Sequence, residues 1–283
     1  MDLSDIRVIK NILARHGFHF SKSLGQNFLI NPDICPRMAE ECGAQKGVGV
    51  LEIGPGVGVL TAELAKRADK VVSVELDKKL LPVLEDTLSG YRNVKIVNED
   101  ILKADLRKLI GTEFSGAEVA VCANLPYYIT SPVIMRLLEE RLPIRSVTVM
   151  VQKEAAERLC ALPGTRACGA VSAAVRYFAE PEVLFEVNRD NFFPPPNVDS
   201  AVIHLKIRKE PPVKINREKD FFALVKAAFG QRRKTVLNAV AAGLSLDRAV
   251  VAAALERAGI APTARAEQLS MGQLAALSNE VFL

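Results

Sequence analysis

The sequence predicts an α/β fold built on a parallel sheet, followed by a smaller segment made only of helices. Three observations predict it. Short apolar runs rich in β-branched residues alternate with helical segments between Val48 and Phe178. A glycine-rich turn, Gly54-Pro55-Gly56-Val57-Gly58, joins the first of those runs to the helix after it. Beyond Lys209-Glu210-Pro211-Pro212 the apolar spacing is helical alone. With 283 residues, 49% of them hydrophobic and 25% charged, the chain can bury a full core. That composition excludes disorder and low complexity.

Taken in order, residues 3–14 read as a short helix, and 18–30 as an irregular stretch mixing aromatics with Lys22, Gln26 and Asn27. Val48–Ile53 is an apolar strand, Leu60–Arg67 a helix, Lys70–Leu76 a strand and Lys78–Leu88 a helix. Val94–Asn98 and Ala117–Ala123 are strands, Ser131–Arg141 a helix, Arg145–Val151 a strand, and Lys153–Cys160 and Ala170–Phe178 helices. Val183–Val187 and Ala201–Ile207 flank Phe193-Pro194-Pro195-Pro196-Asn197 and read as two antiparallel edge strands, with proline confined to their connection. In the last segment Phe222, Val225, Phe229, Val236 and Val240 make one helical seam, with further helices near 246–258 and 266–277. The expected domains are 1–208, of which 1–30 form an N-terminal helix and lid, and a helical domain at 209–283.

Charge is uneven along the chain. From Lys206 onward there are 13 basic and 7 acidic side chains, against 24 and 26 before it. A near-neutral body with a basic tail section points to a polyanionic partner, although a soluble helix surface reads the same way. The five cysteines (35, 42, 122, 160 and 168) include no C-x-x-C pair, which argues for a reducing compartment and against a cysteine zinc site. The three histidines (16, 19 and 204) are too scattered for a metal centre, so no metal is expected. No apolar stretch reaches membrane-spanning length, and the first residues lack the pattern of a signal peptide; a cytoplasmic protein is expected.

Glu52-Ile53-Gly54-Pro55-Gly56-Val57-Gly58 brings its third glycine one residue too early for a G-x-G-x-x-G dinucleotide loop, which disfavours a nicotinamide oxidoreductase. Its E-x-G-x-G-x-G form is similar to the nucleotide loop of S-adenosylmethionine (SAM) methyltransferases; an ordinary tight turn is the alternative. Two carboxylates support the first reading. Glu75 ends the second strand, where an acid accepts hydrogen bonds from both ribose hydroxyls. Asp100, at the end of the third, can accept from an adenine amino group. Helix capping is the alternative for acids at such places, and suffices for Asp77 and Glu99.

Asn124-Leu125-Pro126-Tyr127 follows the fourth strand. The exocyclic amino group of adenine is a poor nucleophile because its lone pair is delocalised into the ring. An amide oxygen from Asn124 and a carbonyl from the Leu125–Pro126 backbone can accept both its hydrogens, favouring a pyramidal nitrogen with its lone pair directed at a methyl donor. Pro126 fixes that backbone, and Tyr127 would stack on the base, a contact worth ~1–3 kcal/mol. The donor loses charge in the transition state, so alignment and preorganised acceptors carry the catalysis, with no strong general base. The bland alternative is a strand-to-helix turn with a buried tyrosine.

These stretches, with Lys22-Ser23-Leu24-Gly25-Gln26-Asn27-Phe28-Leu29, Met150-Val151-Gln152-Lys153-Glu154, Pro194-Pro195-Pro196-Asn197-Val198-Asp199-Ser200 and Ala228-Phe229-Gly230-Gln231-Arg232-Arg233-Lys234-Thr235, closely resemble the bacterial 16S ribosomal RNA adenine dimethyltransferases over nearly the whole chain. The resemblance implies a seven-stranded Rossmann-like SAM-dependent methyltransferase sheet and a small all-helical C-terminal domain. It implies two methyl transfers to N6 of each of two adjacent adenosines near the 3′ end of 16S rRNA, in an immature small ribosomal subunit, by a monomer. Carried over by position, Asn27 and Leu29 contact SAM from the lid, and Gly54 and Gly56 from the loop, with Gly54 against the methionine part. Glu75 binds the ribose, Asp100 the adenine, and Asn124 lies between donor and target. Phe192 is the second aromatic on the target base, with Phe193 beside it leaving the register open. Apart from the resemblance, Lys22, Lys153, Arg158, Arg232, Arg233 and Lys234 are candidate RNA-facing cations, the last three on the polar side of the helical seam, where a solvated helix face is the alternative. Cys168 stands where the family commonly has Tyr, and is not read as a nucleophile. The rival readings are a 23S rRNA adenine methyltransferase of the antibiotic-resistance type, a non-catalytic ribosome assembly factor and a small-molecule methyltransferase. The lid and the Gln-Arg-Arg-Lys-Thr segment favour the 16S enzyme, and intact Glu75, Asp100, Asn124 and Tyr127 favour catalysis.

Overall fold

A computed structural model describes residues 3–19 and 25–283. The chain divides into two compact units, one made of Met1–Ala156 with Glu180–Ile207, the other of Glu157–Ala179 with Arg208–Leu283.

The first unit opens with α1 (Ile6–Arg15), β1 (Phe28–Leu29), α2 (Ile34–Glu41), β2 (Val48–Ile53), α3 (Val59–Ala65), β3 (Lys70–Glu75), α4 (Leu81–Thr87), β4 (Val94–Asn98) and α5 (Leu106–Phe114). It continues through β5 (Glu118–Asn124), α6 (Thr130–Glu139), β6 (Ser146–Gln152) and the start of α7 (Lys153–Cys160). After α8 (Ala170–Phe178) of the second unit come β7 (Ala179–Val187), β8 (Phe192–Phe193) and β9 (Ser200–Ile207). Seven strands form one sheet in the order β4-β3-β2-β5-β6-β9-β7, and β1 pairs with β8 in a two-stranded ribbon. From β4 to β6 all pairs are parallel, and β9 runs antiparallel to β6. Strand β2 is buried at every position, the near-continuous apolar run of a strand covered on both faces.

The topology positions the site. The chain steps outward from β2 to β3 and β4, then returns to β5 on the other side of β2. At such a reversal the loops leaving the two strands diverge, and a crevice opens beyond their carboxyl ends.

Several expectations are corrected. Helices α2 and α5 were not anticipated. Strand β9 is interior, between β6 and β7, so of these two strands β7 alone lies at an edge. Strand β7 starts at Ala179 and includes Pro181, which an edge strand tolerates because one side of its ladder needs no donor.

The second unit holds α8, α9 (Glu218–Phe229), α10 (Val236–Leu244), α11 (Arg248–Arg257) and α12 (Met271–Val281). On α9 the buried residues are Phe221, Leu224, Val225, Ala227 and Ala228; of the expected seam, Val225 here and Val236 and Val240 on α10 are buried, while Phe222 and Phe229 are half-buried. The rings of Tyr177, Phe178, Phe221 and Phe222 form a cluster with neighbouring centroids 5.1–5.4 Å apart, and the Tyr177 hydroxyl donates to Glu218 Oε1 at 2.8 Å. Gln231–Lys234 do not sit on a helix: they form an exposed turn between α9 and α10. Thr235 ends that turn and caps α10 by accepting from the Asn238 amide.

Candidate active site

A cleft of about 280 Å³ opens at the carboxyl ends of β2, β3, β4 and β5. Its floor is the glycine turn between β2 and α3. Gly54 takes φ +69°, and a Cβ built there meets no atom within 4 Å, so the backbone borders open space that a side chain would occupy. Behind the turn lies Glu52, fully buried, whose Oε2 accepts from Thr61 Oγ1 at 2.7 Å and Ser73 Oγ at 2.6 Å. Burial pushes its carboxyl up to about 7, against the pull of those two hydroxyls. Glu52 therefore ties β2, β3 and α3 together under the loop, a structural duty that the motif alone did not reveal.

Glu75 ends β3 and lines the cleft, with only 6% of its surface exposed. Its Oε1 accepts from the Asp77 amide at 2.7 Å. Burial pushes this carboxyl up to about 7, opposed chiefly by the Asp77 and Gly56 amides. Asp100 also lines the cleft. Its Oδ1 accepts from the Leu102 amide at 2.9 Å, and Lys103 Nζ stands 3.6 Å from Oδ2. Asp77 does cap a turn, accepting from the Lys79 amide at 3.0 Å, but its second oxygen also receives Gln26 Nε2 at 2.9 Å. Gln26 thus anchors the segment leading into β1, a contact not anticipated from the sequence.

At the other end of the cleft, Asn124 ends β5 and donates Nδ2 to the backbone oxygen of Asn27 at 3.3 Å. A carbonyl can face only the amide nitrogen, so this contact assigns Oδ1 to the opposite side. Pro126 O is taken by the Ile129 amide at 3.1 Å and by Thr130 Oγ1 at 3.5 Å. The Leu125 carbonyl is thereby the better placed of the two to receive a further donor. Tyr127 is half-buried, and its hydroxyl lies 2.7 Å from Ser200 Oγ. Burial raises its phenol above the ordinary value, so it is neutral at any physiological pH. The exposed Tyr128 and the exposed Leu76 also border the cleft.

Leu29 and Phe192 face each other in the β1–β8 ribbon, are both buried, and both line the cleft. Phe193 is half-buried with Lys10 Nζ 4.8 Å above its ring, and is not among the lining residues. The cleft therefore gathers Asn27, Leu29, Gly54, Gly56, Glu75, Asp100, Asn124, Leu125, Pro126, Tyr127 and Phe192. The described members of the expected RNA-facing cations are not in it. Lys22 lies outside the described residues. Lys153 Nζ is paired with Glu186 at 2.8 Å, and Arg158 is exposed on α7. Arg232, Arg233 and Lys234 are exposed in the α9–α10 turn, where Arg232 Nη2 reaches Arg166 O at 3.4 Å. Cys168 is buried and its thiol is pushed up by desolvation, the opposite of an activated nucleophile. Among the described residues no group of three His, Cys, Asp or Glu side chains is placed to hold a metal ion, and no helix is long and apolar enough to cross a membrane.

A seven-stranded sheet with an antiparallel strand inserted beside its last parallel one, and a cleft lined by a glycine turn and acids at successive strand ends, define a Rossmann-like SAM-dependent methyltransferase. Solved structures agree. The 23S rRNA methyltransferase ErmE superposes with a TM-score of 0.70 at 29% identity, covering 90% of this chain and 100% of that one. A dimethyladenosine transferase from Plasmodium falciparum does so with a TM-score of 0.71 at 25% identity, covering 88% and 95%. The model of the ribosomal RNA adenine dimethylase family matches residues 17–282, and the chain belongs to that family. A relative in Geobacillus thermodenitrificans (strain NG80-2), ribosomal RNA small subunit methyltransferase A, is 52% identical over 279 residues, covering 96% of this chain and 94% of its own.

Proposed function

We propose that the chain transfers methyl groups from SAM to N6 of two adjacent adenosines near the 3′ end of 16S rRNA, giving N6,N6-dimethyladenosines in an immature small ribosomal subunit. Family membership and the relatives named for the small subunit support the substrate. The observation that carries the chemistry is the Asn124 amide, whose nitrogen is held by the Asn27 carbonyl so that its oxygen is free to accept.

The residues fit the donor. Glu75 is a buried carboxylate with capacity to accept ribose hydroxyls, and the Gly54 backbone borders space that a side chain would fill. Asn27, Leu29, Gly54, Gly56, Glu75, Asp100 and Asn124 would hold SAM, with Asp100 on the adenine amino group. When bound, SAM supplies an electrophilic methyl carbon on a sulfonium. The Asn124 amide oxygen and the Leu125 carbonyl accept the two hydrogens of the target amine, and Pro126 fixes the direction of that carbonyl. Tyr127 and Phe192 hold the base between their rings. A neutral tyrosine and a carboxamide provide no strong base, and none is required, because the methylated nitrogen is cationic and sheds its proton readily.

In this reading 1–208 is the methyltransferase domain and 209–283 the RNA-binding domain. Lys22, Lys153, Arg158, Arg232, Arg233 and Lys234 meet phosphate, and the protein works as a cytoplasmic monomer. The test supplies labelled SAM with small subunits lacking the modification and large subunits as control, followed by mass spectrometry of the RNA. Label in two adjacent small-subunit adenosines is expected. Label in the large subunit alone would favour the 23S reading, and no label in either would leave an assembly factor or a small-molecule methyltransferase.

A further inference from the structure

We propose that Ser200 is a positioning residue for methyl transfer: its hydroxyl fixes the ring of Tyr127 and so sets the aromatic slot that Tyr127 forms with Phe192. The inference rests on the proposed role of that slot in holding the target adenine.

Tyr127 is held at its base and at its tip. At the base, it begins a 3₁₀ turn that closes when the Ile129 amide donates to Pro126 O at 3.1 Å. At the tip, its hydroxyl is 2.7 Å from Ser200 Oγ. A tyrosine tethered only at Cα can exchange rotamers, while one anchored at the phenol as well has a single ring orientation. Ser200 is a suitable anchor because the sheet holds it in place. It is fully buried, and as the first residue of β9 it lies in register opposite Gln152 of β6. The preceding residue is fixed too: Asp199 O receives the Lys153 amide at 3.0 Å, and Asp199 Oδ1 receives the Arg189 amide at 3.0 Å.

The same segment leads back to the other wall of the slot. Phe192 is pinned to Leu29 in the β1–β8 ribbon, and three successive prolines, Pro194 to Pro196, stiffen the chain running from it toward Ser200. The Tyr127–Ser200 contact thus joins the tip of one aromatic wall to the end of the stiff segment that starts at the other. A slot of fixed width pays its ordering cost before the base arrives, which is what stacking with alignment requires.

The test is a double-mutant cycle on the full chain, with Ser200→Ala, Tyr127→Phe and both together. Each single variant is expected to lower kcat/KM for unmodified small subunits about tenfold, and the double variant no further, because one shared contact is lost in all three. SAM affinity should stay within about twofold, since the Tyr127 hydroxyl is turned to Ser200, which does not line the cleft. A second measurement needs no RNA. The chain has four tyrosines and no tryptophan, so the long-wavelength part of its near-ultraviolet band reports tyrosine. Ser200→Ala should shift that band, and should leave it unshifted in the Tyr127→Phe background. Additive losses, a Tyr127→Phe variant with wild-type kcat/KM, a fall in SAM affinity equal to the fall in turnover, or an absent band shift would each overturn the proposal. Failure of the wild-type protein to label small-subunit RNA would instead count against the functional reading, and the spectrum distinguishes the two.

Discussion

The two compact units use their polar side chains differently. In the first, the functional groups hold one another: Asn124 is set by Asn27, Tyr127 by Ser200, Asp77 by Gln26, and Glu52 by Thr61 and Ser73. In the second, apolar packing and ring stacking predominate, joined by contacts such as Tyr177 to Glu218 and the Thr235 cap, while Arg233 and Lys234 project from an exposed turn. The contrast teaches where each unit should be sensitive. The cleft acts by alignment, so single atoms matter. The helical unit offers charge, so the number of cations matters more than the placement of any one.

Five outcomes would sharpen or break this contrast. The largest effect belongs to Asn124→Ala, which removes one preorganised acceptor. Turnover should fall at least ~10²–10³-fold while SAM affinity, measured by calorimetry, stays within a few-fold. Next is Glu75. With its carboxyl pushed up to about 7, the free protein holds a proton there that hydroxyl donors of the ligand must displace. Affinity for S-adenosylhomocysteine should therefore strengthen by up to about tenfold per pH unit as pH rises toward 7, then level off, and Glu75→Gln should flatten that profile. The same raised values fix the sign for stability. Glu52 and Glu75 retain protons in the folded chain that the unfolded chain releases above its usual glutamate range. Stability is thus greatest below about 4.5 from this source and is lost as pH rises through 7, an effect that chemical denaturation at stepped pH would read and Glu52→Gln would diminish.

In the helical unit, Gly243 lets α10 approach α9 closely. A Cβ there would come 2.6 Å from Ala227 Cβ and 2.9 Å from Ala227 Cα. Gly243→Ala should destabilise by about 1–3 kcal/mol in thermal denaturation, because the clash is partly with backbone and the helices must shift. The smallest effect is expected for Arg232→Ala with Arg233→Ala. Binding to the RNA particle should weaken several-fold, and the slope of log affinity against log salt should shrink by about 2. An unchanged salt slope would remove the α9–α10 turn from the RNA-facing surface and with it half of the contrast.

The legible parts of the sequence were those where chemistry and periodicity coincide. Strands β2 and β4 were read to the residue, and α7 and α8 likewise. The glycine turn, Glu75, Asp100 and the Asn124–Tyr127 tetrapeptide were read as one site because strand ends of a parallel sheet converge. Helix α2 was missed because Pro36 lies in its first turn and reads as a break, although proline is tolerated there. Helix α5 was missed because only Leu106, Ile110 and Phe114 are buried in it and Gly111 interrupts it. The seam was read correctly at Val225, Val236 and Val240 but began on the wrong ring, because Phe221 and Phe222 are both aromatic and periodicity cannot choose between neighbours. Gln231–Lys234 looked helical because the apolar spacing happens to continue across the turn. Ser200 was visible only as part of a motif. Its contact with Tyr127 spans β6, a separation of 73 residues that no local pattern encodes.

The central claim is that the target amine is activated by acceptors already in place, with no group in the cleft removing its proton first. Tyr127 is held neutral by burial, and Glu75 is ionised once pH passes about 7. The most direct test is the single-turnover rate of methyl transfer against pH, with SAM and RNA particle both saturating. Between roughly pH 7.5 and 9 the rate should be level. A rate rising about tenfold per unit across that range would reveal a general base and contradict the account.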